Sequence, residues 1–332
     1  MLKLLFYWLL FALGFGALVG VIYLIVLIVN KFANKRRTAP RPFVIIFVVM
    51  SLTWLGFMVH GHVVGRWNIA VRNFNFKMPS SVLPASFDGY KIVMFSDMHI
   101  DGWHSNPEKL QRVVDEINRV NADVVCFGGD MITNNFHELD SVSDILSGIV
   151  ARDGLYAVTG NYDCQRYVRG LTDDERQTNV DSLLALLGNM GWRSLINDHV
   201  ILRRGSDSIA LAGVSSRPAD HDSVSVRQYL TQALEGIDST VFTMLLTHDP
   251  TMWRGNVCDS TNVTLTMSGH TPAWQLRVGS ITPAEFLSTE NAGWRHCGNQ
   301  HIFVSVGLGS RMRFRIGAAP EIVVITLHSS EQ

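Results

Sequence analysis

Apolar residues are concentrated at one end of the chain. From Leu4 to Val29 no charged residue interrupts the hydrophobic run, and Phe43 to Val59 forms a second. A helix needs about 20 apolar residues to cross a bilayer. The first run therefore predicts a transmembrane helix. The second, at the short end of that range and followed by His60, Gly61 and His62, predicts another. The first run is too long for the apolar core of a signal peptide, and no small-residue cleavage site follows it. Residues 1–65 read as a membrane anchor, and 66–332 as a single large domain.

Beyond the anchor the pattern shortens. The alternation through Val71, Asn73, Phe74, Asn75 and Phe76 predicts an edge strand that ends by Pro79 and Pro84. Lys91 to Phe95 predicts a buried strand. A helix follows, with Asn106 as its N-cap, Pro107 in its first position, and Leu110, Val113, Val114, Ile117 and Val120 on one face. Further strands are predicted at Asp123–Phe127, Leu155–Thr159, Val241–Leu246 and Val263–Met267, with a helix around Val142 to Ile149. The later half adds strands at Val200–Leu202, Ile209–Gly213, Ile302–Val306 and Ile322–Thr326. More strands than helices in that half predict mixed sheets rather than a purely parallel one.

Charge sharpens the reading of the anchor. Lys31, Lys35, Arg36, Arg37 and Arg41 lie between the two apolar runs with no acidic residue among them. Positive loops stay cytoplasmic. With two spans, the large domain is then extracytoplasmic in a multi-pass protein of the cell membrane. Lys3 makes six positive charges in the anchor, so the rest of the chain carries about −7 against the net −1. No basic stripe of the kind that tracks a nucleic-acid backbone is present, so no nucleic-acid polymer is expected as a partner. The four cysteines, Cys126, Cys164, Cys258 and Cys297, form no C-x-x-C pair, which excludes zinc-finger and thioredoxin motifs. Cys126 falls within an apolar strand, and the pairing of the others does not follow from their spacing.

Five predicted strands each deliver ligand-type residues just past their carboxyl ends, where ligand sites in open α/β sheets collect. These are Asp97 and His99, then Asp130, Asn161, His248 and His270. Carboxylate, amide oxygen and imidazole make a set that Mn, Fe or Zn accepts. In a two-metal hydrolase, two cations about 3.5 to 4 Å apart hold a hydroxide between them. Asp130 is the natural bridging carboxylate. Taken singly, each pair is an ordinary turn or a buried histidine. Five in sequence, all at strand ends, carry more weight.

At these residues the chain resembles the calcineurin-like metallophosphoesterases, whose pattern is D-x-H, G-D, G-N-H-D/E, H and G-H-x-H. The likeness runs over roughly residues 66–328. Phe95 to His99, Leu246 to His248 and Ser268 to Thr271 look like the membrane-associated branch that includes UDP-2,3-diacylglucosamine pyrophosphatases. Val304 to Gly309, Arg313, Pro320 to Ile322 and Thr326-Leu327 are similar to its closing strands. The resemblance implies a double-sheet α/β sandwich behind the two transmembrane helices. It also implies two divalent ions, one held by Asp97, His99 and Asp130, the other by Asp130, Asn161, His248 and His270.

Two positions depart from the family pattern. Pro272 stands at the last histidine of G-H-x-H and offers no donor to the first ion, so one site is one ligand short, and the expectation is two ions or a single tightly bound one. Tyr162 stands where the family has a histidine that contacts the phosphate and is thought to protonate the leaving group. A phenol near pKa 10 suits that task less well than an imidazole near 6.5. Asp163, which would orient the histidine, is retained and is available to the phenol; Tyr162 and Asp163 are the catalytic candidates. His104 is a candidate replacement ligand, and Trp103 and Trp274 are rim or core residues.

The expected activity is hydrolysis of a phosphodiester, phosphomonoester or pyrophosphate by metal-bound hydroxide. Its substrate would be a phosphate-containing small molecule, lipid- or nucleotide-linked, near the bilayer. The alternative is a degenerate binding or scaffold protein with one metal site and little catalysis. A UDP-linked lipid A precursor is cytoplasmic and conflicts with the charge rule, which takes precedence.

Overall fold

The computed structural model describes residues 2–35, 39–216, 223–270, 275–277, 279, 282 and 290–330. The chain forms two compact units. The first contains α1 (Leu2–Phe32) and α2 (Arg41–Val63), both long and apolar enough to cross a membrane. The helix α2 has 23 residues and extends the predicted run at both ends. At 1.5 Å per residue it is about 35 Å long, enough for a hydrocarbon core of about 30 Å. Two residues of the basic loop, Arg36 and Arg37, lie outside the described residues.

The two helices run antiparallel. Phe15 stacks on Phe47, Tyr23 lies beside Phe43, and the Trp8 indole N–H donates to the Ser51 carbonyl at 3.0 Å. The same unit includes five residues from far along the chain, Met312–Ile316. Phe314 is buried against Met58, with Tyr7, Trp8 and Trp54 around them, and the Arg315 N–H donates to the Gly61 carbonyl at 3.1 Å.

The second unit is built on two six-stranded sheets. In the first, β1 (Ala70–Pro79) is an edge strand, as its alternation predicts; it pairs with β12 (Glu321–Ser330), which is followed by β2 (Lys91–Phe95), β3 (Val124–Phe127), β4 (Leu155–Ala157) and β5 (Trp192–Ser194). The pair β12 and β2 is antiparallel and the others are parallel. The second sheet runs from β10 (Gly293–Cys297) through β11 (Gln300–Val304), β9 (Val263–Ser268), β8 (Thr243–Thr247) and β7 (Asp207–Val214) to β6 (Asp198–Arg204). Its two outer pairs are antiparallel and its centre is parallel. Both sheets are mixed, as expected.

Alternation along the strands produces the layers. Successive side chains point to opposite faces. Ile92, Met94, Val124 and Cys126 meet Leu211, Met244, Leu246, Leu265, Met267 and Phe303 in the core between the sheets. Val93, Phe95, Val125 and Phe127 point the other way. There they pack on Leu110, Val113, Val114 and Ile117 of α3 (Pro107–Arg119). Beyond α4 (Ser143–Leu146), Leu183 and Leu187 of α5 (Asp173–Asn189) join the same cluster. On the second sheet Ala212, Leu245, Ile302 and Val304 are covered by Leu230 and Ala233 of α6 (Ser223–Leu234) and by Trp253.

Several local expectations need correction. The helix around Val142 to Ile149 is one turn, α4; Val142, Leu146 and Ile149 are buried, but the chain turns at Ser147 and Gly148, and this apolar spacing packs a loop. Asn106 occupies the N-cap of α3, yet its side chain makes no cap bond, and Pro107 starts the helix without one. The strand β4 stops at Ala157, because Val158 already turns into the loop that carries Asn161. The helix α5 was not anticipated, although its capping box, Thr172 with Glu175, is present in the sequence. Cys258 and Cys297 form a disulfide, and Cys126 and Cys164 are buried free thiols.

Leu110 is fully buried between α3 and the first sheet. Leu110→Ala is expected to destabilise the second unit by about 2–5 kcal/mol. Chemical denaturation of the detergent-solubilised chain checks this, and an unchanged midpoint would contradict the packing of α3.

Candidate metal centre

The ends of β2, β3, β4, β8 and β9 bring the six ligand-type residues to one place. Asp97, Asp130 and His248 are buried, with one ligand atom from each lying within 4.8 Å of the other two. Around Asp130 Oδ2, His248 Nε2 stands at 3.1 Å and His99 Nε2 at 3.9 Å. The His270 N–H donates to Asp97 Oδ2 at 3.1 Å, and the rings of His248 and His270 meet edge to face at 5.0 Å. Asn161 Oδ1 lies 3.0 Å from His270 Nδ1, a hydrogen bond that coordination by both atoms would replace.

The backbone is shaped for this convergence. Asp97, His99, Asp130 and His270 all have positive φ, between 45° and 87°. Such conformations are uncommon outside glycine, though Asp and His tolerate them better than most residues, and they cluster at functional sites. Gly160 is required for a different reason. A Cβ there would collide with Asp130 Oδ1, so only glycine lets the two ligand loops touch.

Hydrogen bonds fix the imidazoles. The Gly128 carbonyl, 2.8 Å from His248 Nδ1, accepts the proton there and turns Nε2 toward the carboxylates. The Thr133 hydroxyl donates to Asp101 at 2.9 Å, so its oxygen accepts from His99 Nδ1 at 3.2 Å and leaves His99 Nε2 directed inward. Neither Asp101 nor Thr133 was anticipated; Asp101 lies two residues after His99, but Thr133 comes from the next loop.

Electrostatics favour a cation here. Burial by itself would push His248 down, but Asp130 beside it raises it to about 10. Burial and His248 together lower His270. Asp97 Oδ1 is buried and makes no hydrogen bond among the described residues. A buried carboxylate oxygen is expensive to leave unsatisfied, and a divalent cation would satisfy it. The donor set of carboxylate, amide and imidazole fits such an ion.

The other candidates fall in different places. The Asp163 carboxylate accepts from the N–H groups of Gly160 (2.8 Å), Asp130 (2.9 Å) and Ile132 (3.1 Å), which ties two ligand loops together. Tyr162 places its ring edge to face on His99, with centroids 4.8 Å apart, and its N–H donates to Asp130 Oδ1 at 2.8 Å. His104 is turned to the Glu138 carbonyl at 2.6 Å. Trp103 is a core residue whose indole donates to the Met98 carbonyl at 2.9 Å. Pro272 and Trp274 lie outside the described residues. Beside the cluster a cleft of about 550 Å³ is lined by Asn161, His270, Arg166, Tyr167 and Asp249.

The chain is 29% identical over 261 residues to an uncharacterized metallophosphoesterase of Bacillus subtilis, YkuE, covering 76% of this chain and 83% of that one. It is 30% identical over 263 residues to a "transmembrane protein with metallophosphoesterase domain" of Danio rerio, covering 76% of this chain and 56% of the fish protein. Among solved structures, a dimetal phosphatase from Danio rerio is similar at a TM-score of 0.39 and 10% identity, over 67% of this chain and 88% of that one. The family model "Calcineurin-like phosphoesterase" matches residues 90–273, more than half of the sequence, and the chain belongs to that family.

Proposed function

We propose that this protein is a membrane-anchored, metal-dependent phosphoesterase that hydrolyses a phosphodiester, phosphomonoester or pyrophosphate. A lipid- or nucleotide-linked phosphate is the substrate class. The observation that carries this reading is the buried group of Asp97, Asp130 and His248, with Asp97 Oδ1 lacking a hydrogen-bond partner among the described residues. Asp97, His99 and Asp130 are assigned to one divalent cation, and Asp130, Asn161, His248 and His270 to a second. Bound there, such ions neutralise charge on phosphoryl oxygens and acidify a water for in-line attack.

The chain's own residues account for the rest. The Gly128 carbonyl and Thr133 hold two imidazoles in the tautomer that leaves Nε2 free for an ion. Asp163 keeps two ligand loops in register through backbone amides, and the Tyr162 hydroxyl is the group available to a phosphoryl oxygen. A second reading, a binding protein with one metal and little turnover, rests on two features. Pro272 has no donor atom, and burial raises the Tyr162 phenol further above its usual range, against the opposing effect of Arg311.

The large unit is assigned to the extracytoplasmic side. Five basic residues between α1 and α2 support this through the positive-inside rule. The Cys258–Cys297 disulfide supports it independently, since such bonds persist in oxidising compartments. A cytoplasmic UDP-linked lipid precursor fits this side poorly.

Three outcomes follow. The full chain in detergent is expected to bind Mn, Fe or Zn and to hydrolyse bis(p-nitrophenyl) phosphate with Mn. Asp130→Asn should remove both properties; one ion or none with no turnover would favour the binding-protein reading. Thr133→Val, which removes the His99 anchor, should cost about 10- to 100-fold in metal affinity or activity, read by metal titration. A reporter fused after Gln332 should be active only in its extracytoplasmic form, with Cys258 and Cys297 alkylated only after reduction. A signal from a cytoplasm-only reporter would reverse the orientation.

A further inference from the structure

The loop between β11 and β12 passes directly beneath the ligand loop that follows β2. The Leu308 N–H donates to the Ser96 carbonyl at 2.9 Å, and the Gly309 N–H donates to the Asp97 carbonyl at 2.7 Å. Gly309 is needed for this approach, because a Cβ there would collide with the Met98 carbonyl oxygen. The backbone is thus pinned on both sides of Asp97, and Arg311 follows two residues later. Its side chain is exposed, and its guanidinium stands close enough to the Tyr162 hydroxyl to act on the phenol. Tyr162 in turn rests on His99 and, on its other side, on Tyr167 at 4.7 Å between ring centroids.

We propose that Arg311 is the residue that binds the phosphoryl group of the substrate, with Tyr162 as the hydroxyl that positions its guanidinium over the metal centre. The inference rests on the phosphoesterase reading for its substrate, but not on catalysis. A guanidinium carries five N–H donors in a planar fork, and one phenolic oxygen leaves several of them for a ligand. That fork matches two oxygens of a phosphate, and guanidinium–phosphate pairs are among the stronger hydrogen bonds in proteins. The position also suits the charge distribution. Asp97 and Asp130 are buried, so an exposed cationic group supplies the anion recognition that the carboxylates cannot. Ligands with two free non-bridging oxygens, as in a phosphate ester anion, are the class it would take.

The test is binding of inorganic phosphate to the Mn-loaded full chain by calorimetry, with metal content and the KM and kcat for bis(p-nitrophenyl) phosphate measured alongside. Arg311→Met should keep its metal and weaken phosphate binding by about 10- to 100-fold, the loss expected for hydrogen bonds to a charged group. KM should rise more than kcat falls. Arg311→Lys should recover only part of the affinity, since the fork is lost. Tyr162→Phe should weaken phosphate binding while Arg311 is intact, and should add little to Arg311→Met, because both act on the same contact. Wild-type phosphate affinity in Arg311→Met, or no phosphate binding by the wild type, would overturn the proposal. Phosphate binding lost in Arg311→Met, in a chain that shows no turnover, would support it while removing the hydrolase reading.

Discussion

A single buried carboxylate holds the candidate site in shape. Asp163 receives backbone N–H groups from Gly160, Asp130 and Ile132, and so fastens the loop after β3 to the loop after β4. Burial and the nearby Asp130 raise its pKa to about 7, opposed by those same amide donors. The contact fixes where Asp130 and Asn161 can stand, and through the Tyr162 N–H it fixes the rotation of Asp130 as well. The sheets provide the direction of each ligand. Asp163 provides the distance between two of the loops.

The cost of this arrangement is spread over the same loops. Four candidate ligands have left-handed backbone, one buried carboxylate oxygen has no partner among the described residues, and two imidazoles stand beside one carboxylate, Asp130. Strained residues of this kind cost on the order of 1–3 kcal/mol each. The surrounding layers offset that cost. Side chains alternate into the core between the sheets and into the helix-covered core outside, and the ligand loops are short extensions of strands that are buried on both faces where they enter those loops. A rigid scaffold carrying strained loops at its strand ends is the arrangement expected where geometry serves binding.

The first unit follows different physics. In α1 and α2 most of the described large apolar side chains are exposed in the folded chain, so burial within the protein does not account for them. A bilayer would. Met312–Ile316 joins this unit by placing Phe314 among Met58, Trp8 and Trp54. In the second unit, the Cys258–Cys297 bond ties the turn after Trp253–Val257 to the end of β10 across 39 residues of sequence. These residues include His270.

The sequence alone was enough for the periodic features and for the chemistry attached to their ends. Short apolar runs locate β2, β3 and β9 to within a residue. Spacings of three and four locate α3, and an uncharged run locates α1, because each signal is local and repeated. The six ligand-type residues were legible because each follows such a strand. Non-repeating features were read less well. Val142 to Ile149 has helical spacing but forms one turn, since packing of three apolar side chains does not by itself require a helix. Only the tertiary structure decided which groups orient them. Asp163 binds amides rather than the phenol, Thr133 anchors His99 from the following loop, and Arg311 reaches Tyr162 across about half the chain. These contacts join residues far apart in sequence, and no local pattern encodes the distance at which folded strands bring them together.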